Sequence, residues 1–165
     1  MSRREEDYRE FVDANAARLH RTAYLLCGDW HLANDLVAQT LVKAFRQWRR
    51  VRWAENPSSL VHRIMVAEFK RYWHHHRDLP VRADDGHEAI VADVPDGVVN
   101  RADLLRALLR LPTRQRIVVV LRYLEGMSEA ETAAVLRCGD GAVRSQTAQA
   151  MSALGGHLKH KELPI

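Results

Sequence analysis

Ser128-Glu129-Ala130-Glu131-Thr132-Ala133-Ala134-Val135-Leu136-Arg137-Cys138-Gly139-Asp140-Gly141-Ala142-Val143-Arg144-Ser145-Gln146-Thr147-Ala148-Gln149 is the stretch on which the fold of this chain turns. Ser128 and Glu131 have the spacing of a capping box, in which the hydroxyl and the carboxylate each satisfy an amide left open at a helix start. The helix they open carries Ala133, Ala134, Val135 and Leu136 and is expected to break at Cys138-Gly139. Asp140 then caps a second helix, with Val143, Thr147, Met151 and Leu154 facing inward and Arg144, Ser145, Gln146 and Gln149 facing out. A short apolar helix, a tight turn and a polar-faced helix form the helix-turn-helix pattern. A major groove admits one helix, and small alanines let the bracing helix approach it closely. The spacing alone equally describes a structural helix pair with a solvated outer face, so the charge of the surrounding chain has to decide.

Outward from this stretch, apolar residues recur at helical spacing in nearly every segment, and none alternates as a strand would. The fold is therefore expected to be all-α. A first helix should run from about Glu5 to Leu26, with Tyr8, Phe11, Val12, Leu19 and Ala23 inward, and stop at Gly28-Asp29. A second should run from about His31 to Trp48, with Leu32, Leu36, Thr40, Leu41, Ala44, Phe45 and Trp48 as its buried stripe. Asn56-Pro57 supplies a cap and a preset first turn for a third, through Leu60, Ile64, Met65, Ala67 and Phe69 toward Trp73. Farther on, Asp103 to Leu111 reads as a helix ended by Pro112, and Thr113 to Leu124 as one ended by Gly126.

Charge divides the chain. Residues 1–77 carry a net +5, residues 78–100 a net −5 and residues 101–165 a net +4. The acidic stretch contains Pro80, Gly86, Pro95 and Gly97 and almost no aromatic residue, as a flexible linker does. Two small helical domains are expected, at 1–77 and 101–160, joined by an acidic flexible linker at 78–100, with the helix-turn-helix in the second. Basic blocks of this size attract polyanions, because neutralising phosphates releases condensed counterions. Cys27 and Cys138 have no metal-like spacing, and neither a signal peptide nor a membrane-spanning apolar run is found. The expected location is the cytoplasm, with both thiols reduced.

In the first domain Trp48-Arg49-Arg50-Val51-Arg52-Trp53 lies between two expected helices, and Arg63, Lys70, Arg71, Tyr72, Trp73 and Arg77 follow. Arginines interleaved with aromatics suit unpaired nucleic acid, since cations track phosphates while flat rings stack on exposed bases. Trp48 continues the inner stripe of its helix and is assigned to the core. His74-His75-His76, even with His20 or His62, does not read as a metal site, because successive helical residues point in different directions. No nucleophile and base pair, phosphate loop or carboxylate dyad is found, so neither enzyme activity nor a metal or other cofactor is expected.

With these residues in place, the chain resembles the extracytoplasmic-function sigma factors of the sigma-70 family, the SigE-like actinobacterial subgroup in particular. The first half is similar to region two through Tyr24-Leu25-Leu26-Cys27-Gly28-Asp29, Ala33-Asn34-Asp35-Leu36-Val37-Ala38-Gln39-Thr40-Leu41-Val42-Lys43-Ala44-Phe45, and Glu55-Asn56-Pro57 running into Val61-His62-Arg63-Ile64-Met65-Val66. The second is similar to region four through Leu111-Pro112, Arg114-Gln115-Arg116, Val118-Val119-Val120-Leu121-Arg122-Tyr123, Glu125-Gly126-Met127-Ser128, Glu131-Thr132-Ala133 and Gly141 to Thr147. The resemblance implies an alternative sigma factor that binds core RNA polymerase, through the clamp of the largest subunit and the flap of the second-largest, and directs initiation at promoter DNA. Asp35, Gln39 and Val42 would dock on the clamp. Arg49, Arg50, Arg52, Trp53, Asn56, Arg63, Lys70, Arg71 and Trp73 would bind the minus-10 element, flipping a base so that its edge can be read. Asp140, Gly141, Arg144, Ser145, Gln146 and Gln149 would lie on the minus-35 element. An anti-sigma factor is a further partner that members of the family often have, and no membrane partner is implied.

The chain departs from the family pattern at several positions. Asn34, Ala38 and Gln39 stand where two carboxylates and an amide are usual on the docking face, Ala142 replaces a Thr, Gln149 and Gly155 each replace an Arg, and Glu68 replaces an Asn. Two other functions compete with the sigma reading: a stand-alone helix-turn-helix regulator that binds operators by itself, and an adaptor without DNA contact. The regulator would need a dimerisation helix, which the sequence lacks.

Overall fold

The computed structural model describes residues 1–75 and 101–157, the side chains of Trp73, His74, His75, Arg101 and His157 excepted. The expected linker and the tail beyond His157 lie outside the described residues. Everything regular in the described residues is helical, as the periodicity requires.

The first half packs α1 (Arg3–Cys27), α2 (Trp30–Arg46), the short α3 (Trp48–Arg52) and α4 (Pro57–His75) around one core. Ser2 and Glu5 form a capping box at the start of α1, and Gly28, at φ 69°, ends it in the left-handed conformation with its N–H on the Tyr24 carbonyl. Asp29 caps α2 through the Leu32 amide at 3.1 Å. Asn56 does the same for α4, its Oδ1 accepting from the Ser59 N–H at 3.1 Å. Leu19, Ala23, Leu36, Val37, Ala44, Trp48, Met65 and Phe69 fill the space between these helices. Trp48 is 4% exposed and packs edge-on against Tyr8, whose hydroxyl donates to the Leu41 carbonyl at 2.7 Å. Its assignment to the core therefore holds.

The second half consists of α5 (Arg101–Arg110), α6 (Thr113–Val119), a π-helical turn at Val120–Leu124, α7 (Glu129–Leu136) and α8 (Asp140–His157). Leu108, Ile117, Leu121, Val143, Ala150 and Leu154 are fully buried among them. The Ser128–Glu131 capping box forms as read, the hydroxyl accepting at 3.0 Å and the carboxylate at 2.8 Å.

Three local details differ from the sequence reading. First, α2 stops at Arg46, Gln47 breaks the ladder, and Arg49, Arg50 and Arg52 sit on the separate turn α3 instead of in a loop. Second, the helix after Pro112 widens at its end, the Glu125 N–H bonding back to Val120 at 2.9 Å. Third, α7 ends one residue before the expected break, with Arg137 rather than a glycine in the left-handed region at φ 54°.

From Thr22 to Cys27 every residue of α1 is buried, whichever way it points. A helix buried all round is enclosed on more than one side. Here α2 and α4 cover one side and the second half of the chain covers another. Arg116 of α6, 2% exposed, donates from Nη1 to the Leu26 carbonyl at 2.8 Å.

Candidate nucleic-acid interface

α7 braces α8, and the outer face of α8 begins at the N-terminal end that a major groove would receive. Asp140, Gly141, Arg144, Ser145 and Gln149 are exposed, whereas Gln146 is half-buried. The inner stripe of Val143, Ala150 and Leu154 fixes this orientation by burial. Arg144 reaches across the turn to Glu129, Nη1 to Oε2 3.1 Å, and Gln149 lies 3.4 Å from the Gln115 amide. Arg144 is the sole lysine or arginine between Asp140 and His157.

In the first half, Arg49, Arg50, Arg52, Trp53 and Asn56 are all exposed and follow one another around α3 and the turn after it. Trp53 is 76% exposed, with the Arg52 guanidinium 5.2 Å from its ring centroid. Arg52 is itself anchored by Asp7 at 2.5 Å. An exposed indole of this kind is a ready stacking surface. On α4, Arg63 and Lys70 border a cleft of about 560 Å³, with Val135, Leu136 and Arg137 of the other half opposite. Arg71 lies elsewhere: it pairs with Glu68 at 2.7 Å and lines a second groove, of about 600 Å³, with Leu32, Asp35, Leu36 and Gln39. The structure thus brings Arg63 and Lys70 together and sets Arg71 beside two of the proposed docking residues. Val42, the third, is 49% exposed. The side chains of Trp73 and of the His74-His75-His76 run lie outside the described residues.

Glu68 is 6% exposed and joins α4 to α2 by pairing with Lys43, while Arg71, one turn farther along α4, pairs with it as well. That pairing makes it a structural strut, and the sequence identified it only as a departure. A larger polar cluster was missed altogether. Glu125, at the end of the π-helical turn, has a side chain with no exposed surface, set into the first half. Its carboxylate accepts from Arg18 Nε and, at 2.6 Å, from the Thr22 hydroxyl. Arg18 Nη2 also donates to the Glu125 carbonyl oxygen at 2.9 Å, and Arg21 and His62 approach the carboxylate at 3.6 and 3.8 Å. Charges so enclosed are tolerated only when paired and hydrogen-bonded, as here. Nothing in local spacing marks residues more than a hundred positions apart as partners. The one available signal was the oddity of Thr22 and His62 on otherwise apolar helix faces.

Among the described residues no group of His, Cys, Asp or Glu could hold a metal ion, and no helix is long and apolar enough to cross a membrane. The two cysteines are free, and burial pushes the Cys27 thiol up to about 12.

Comparison with known proteins follows the same division of the chain. Residues 11–78 match the family model for sigma-70 region 2, and residues 101–154 match that for sigma-70, region 4. An RNA polymerase sigma-E factor of Streptomyces avermitilis is 30% identical over 157 residues, covering 95% of this chain and 88% of that protein. The ECF RNA polymerase sigma factor SigM of Mycobacterium tuberculosis is 33% identical over 140 residues, covering 83% and 69%. Among solved structures, the sigma factor RpoE of Bartonella quintana, in complex with the anti-sigma factor NepR, superposes with a TM-score of 0.78 at 23% identity, covering 95% of this chain and 99% of that one. CnrH, in complex with the cytosolic domain of CnrY, superposes at 0.68 and 22% identity, with 96% and 91% covered.

Proposed function

Because the chain belongs to the extracytoplasmic-function sigma factors of the sigma-70 family, we propose that its first domain docks on core RNA polymerase and opens the minus-10 element while its second reads the minus-35 element. The observation that carries this reading is the presence of both interfaces on one chain: a helix-turn-helix with its outer face free, and a separate domain with an exposed Trp53 among arginines. A regulator that binds operators alone needs only the first of these, and would leave the second unexplained.

On this reading Asp35, Gln39 and Val42 meet the clamp of the largest subunit, and the second domain meets the flap of the second-largest. Trp53 stacks on a base released when the duplex opens, while Arg49, Arg50, Arg52, Arg63 and Lys70 hold the adjacent backbone, with Asn56, Arg71 and Trp73 completing the minus-10 set. Stacking is sequence-tolerant and needs an unpaired base, so these residues select melted over duplex DNA. On the other element Arg144 and Gln146 contact base edges, with Asp140, Gly141, Ser145 and Gln149 around them. Arg144 leaves Glu129 for the base, exchanging one charge-assisted contact for another. The solved relatives carrying anti-sigma factors make such a factor a reasonable further partner for this chain, which is expected to act in the cytoplasm, without enzyme activity of its own.

The test is to mix the purified chain with sigma-free core RNA polymerase, follow co-elution by size exclusion, and transcribe a library of randomised promoters. Co-elution with initiation from a consistent two-element sequence is the expected result. Failure to bind core, together with specific binding of duplex DNA by the chain alone, would overturn it in favour of the stand-alone regulator.

A further inference from the structure

Glu125 does nothing for either DNA-facing surface, yet it is among the most enclosed charged side chains described. Its partners Arg18, Thr22 and His62 all belong to the other half of the chain. Arg116 makes a second crossing through the Leu26 carbonyl, and Asn56 Nδ2 a third, 3.5 Å from Glu131 Oε1. Held in this way, the end of α7 stands across the cleft from Arg63 and Lys70 on α4. A melted strand laid along that face of α4 would collide with α7.

We propose that this arrangement is a closed, self-inhibited state, in which the Glu125 carboxylate latches the helix-turn-helix domain over the α4 face that the minus-10 strand needs. The inference rests on the promoter-binding role of α4 given above.

Two features make the closure a latch rather than a permanent seam. Its centre is ionic: the Glu125 carboxylate has no exposed surface while Arg18 is already 40% exposed, so parting the halves returns the carboxylate to water, which offsets part of the lost attraction as the opening of an apolar patch does not. The same boundary also holds opposed like charges. Lys70 and Arg137 of the second domain, both exposed, line the same cleft, and partial burial, with Arg114 and Arg137 adding to it and Cys138 opposing, lowers the Lys70 ammonium pKa. Attraction at Glu125 and repulsion at Lys70 act across one interface, so a single change of charge at the attractive end shifts the balance between closed and open forms.

The experiment reads opening directly. Ser58 lies on the first turn of α4 beside Glu125, with its hydroxyl oxygen buried. In a Cys138→Ser background, Ser58→Cys places a thiol in the boundary, and its rate of modification by a thiol reagent follows the open population. A control protein carries Ala44→Cys in the core of the first domain instead. Glu125→Gln keeps the shape and removes the charge. It is expected to speed modification at position 58 about ten-fold or more, as for loss of a charge-assisted hydrogen bond, and to leave position 44 unchanged. The same substitution should raise initiation at limiting core polymerase several-fold. Unchanged labelling at position 58, or equal acceleration at both positions, overturns the latch. Selective opening without a gain in initiation overturns the inhibition. If neither protein co-elutes with core, the sigma reading has failed and takes the inhibitory role with it, while the labelling still shows whether Glu125 holds the halves together.

Discussion

His62 is 1% exposed, with Nδ1 2.8 Å from the Ser58 carbonyl oxygen and Nε2 facing Thr22 and Glu125. Burial lowers its pKa below the usual 6.5; the Ser58 carbonyl and Glu125 oppose the shift, and Arg18 and Arg21 add to it. The unfolded chain takes up a proton near 6.5 while the folded chain still refuses it, so the His62 contribution to stability is present in full above that pH and is lost as pH falls below it. Melting followed from pH 8 to pH 5.5 should show a falling midpoint. His62→Gln should flatten the fall without abolishing it, because burial lowers His20 as well. At the DNA surface, Arg144→Ala should cost about 1–3 kcal/mol of discrimination at one base pair of the minus-35 element, measured by competition between promoter variants. Unchanged preference would remove Arg144 from base reading. Trp48 was legible because a residue that continues an apolar stripe is carried inward by its neighbours. Glu125 was not, because its partner Arg18 is separated from it by 107 positions and local periodicity is blind to such pairs.

Among elements, the capped helices were the easiest to read. Ser128 with Glu131, and Asn56, each satisfy a backbone amide through chemistry confined to four residues, so those starts are written locally; Asp29, read only as part of the stop of the first helix, proves to cap α2 as well. The short α3 escaped because five residues with no side-chain cap carry no periodic signal. The π-helical turn escaped because patterns of three and four residues do not register a bond to the fifth. The turn between α7 and α8 shows the cost of an unusual choice: Arg137 holds a left-handed conformation that disfavours any residue with a Cβ. Arg137→Gly is expected to raise stability by about 1 kcal/mol, read as a shifted urea midpoint at constant slope. For α8, the scarcity of cations predicts a weak phosphate contribution. Gln149→Arg should tighten duplex binding and steepen the slope of log affinity against log salt by about 1. An unchanged slope would mean that position 149 does not face the backbone.

At the scale of the molecule, the acidic stretch at 78–100 separated two basic regions in the sequence, and the two family regions fall on either side of it. What charge could not reveal is that the two halves share an interface, since complementarity between folded surfaces exists only once both are folded. Shared burial at Arg116 and Glu125 couples their stability. Calorimetry on the full chain should therefore give one unfolding transition whose van't Hoff and calorimetric enthalpies agree; two resolved peaks would show the halves to be energetically independent. Trp53 has one more consequence. Trp48 is sealed in the core and Trp30 is half-buried, so the indole at position 53 is the solvent-facing fluorophore among the described tryptophans. Its emission should be red-shifted relative to theirs and should dim when a nucleobase stacks on it. Strand melting at a promoter can then be timed in a stopped-flow instrument by the protein's own light, without a dye on either partner.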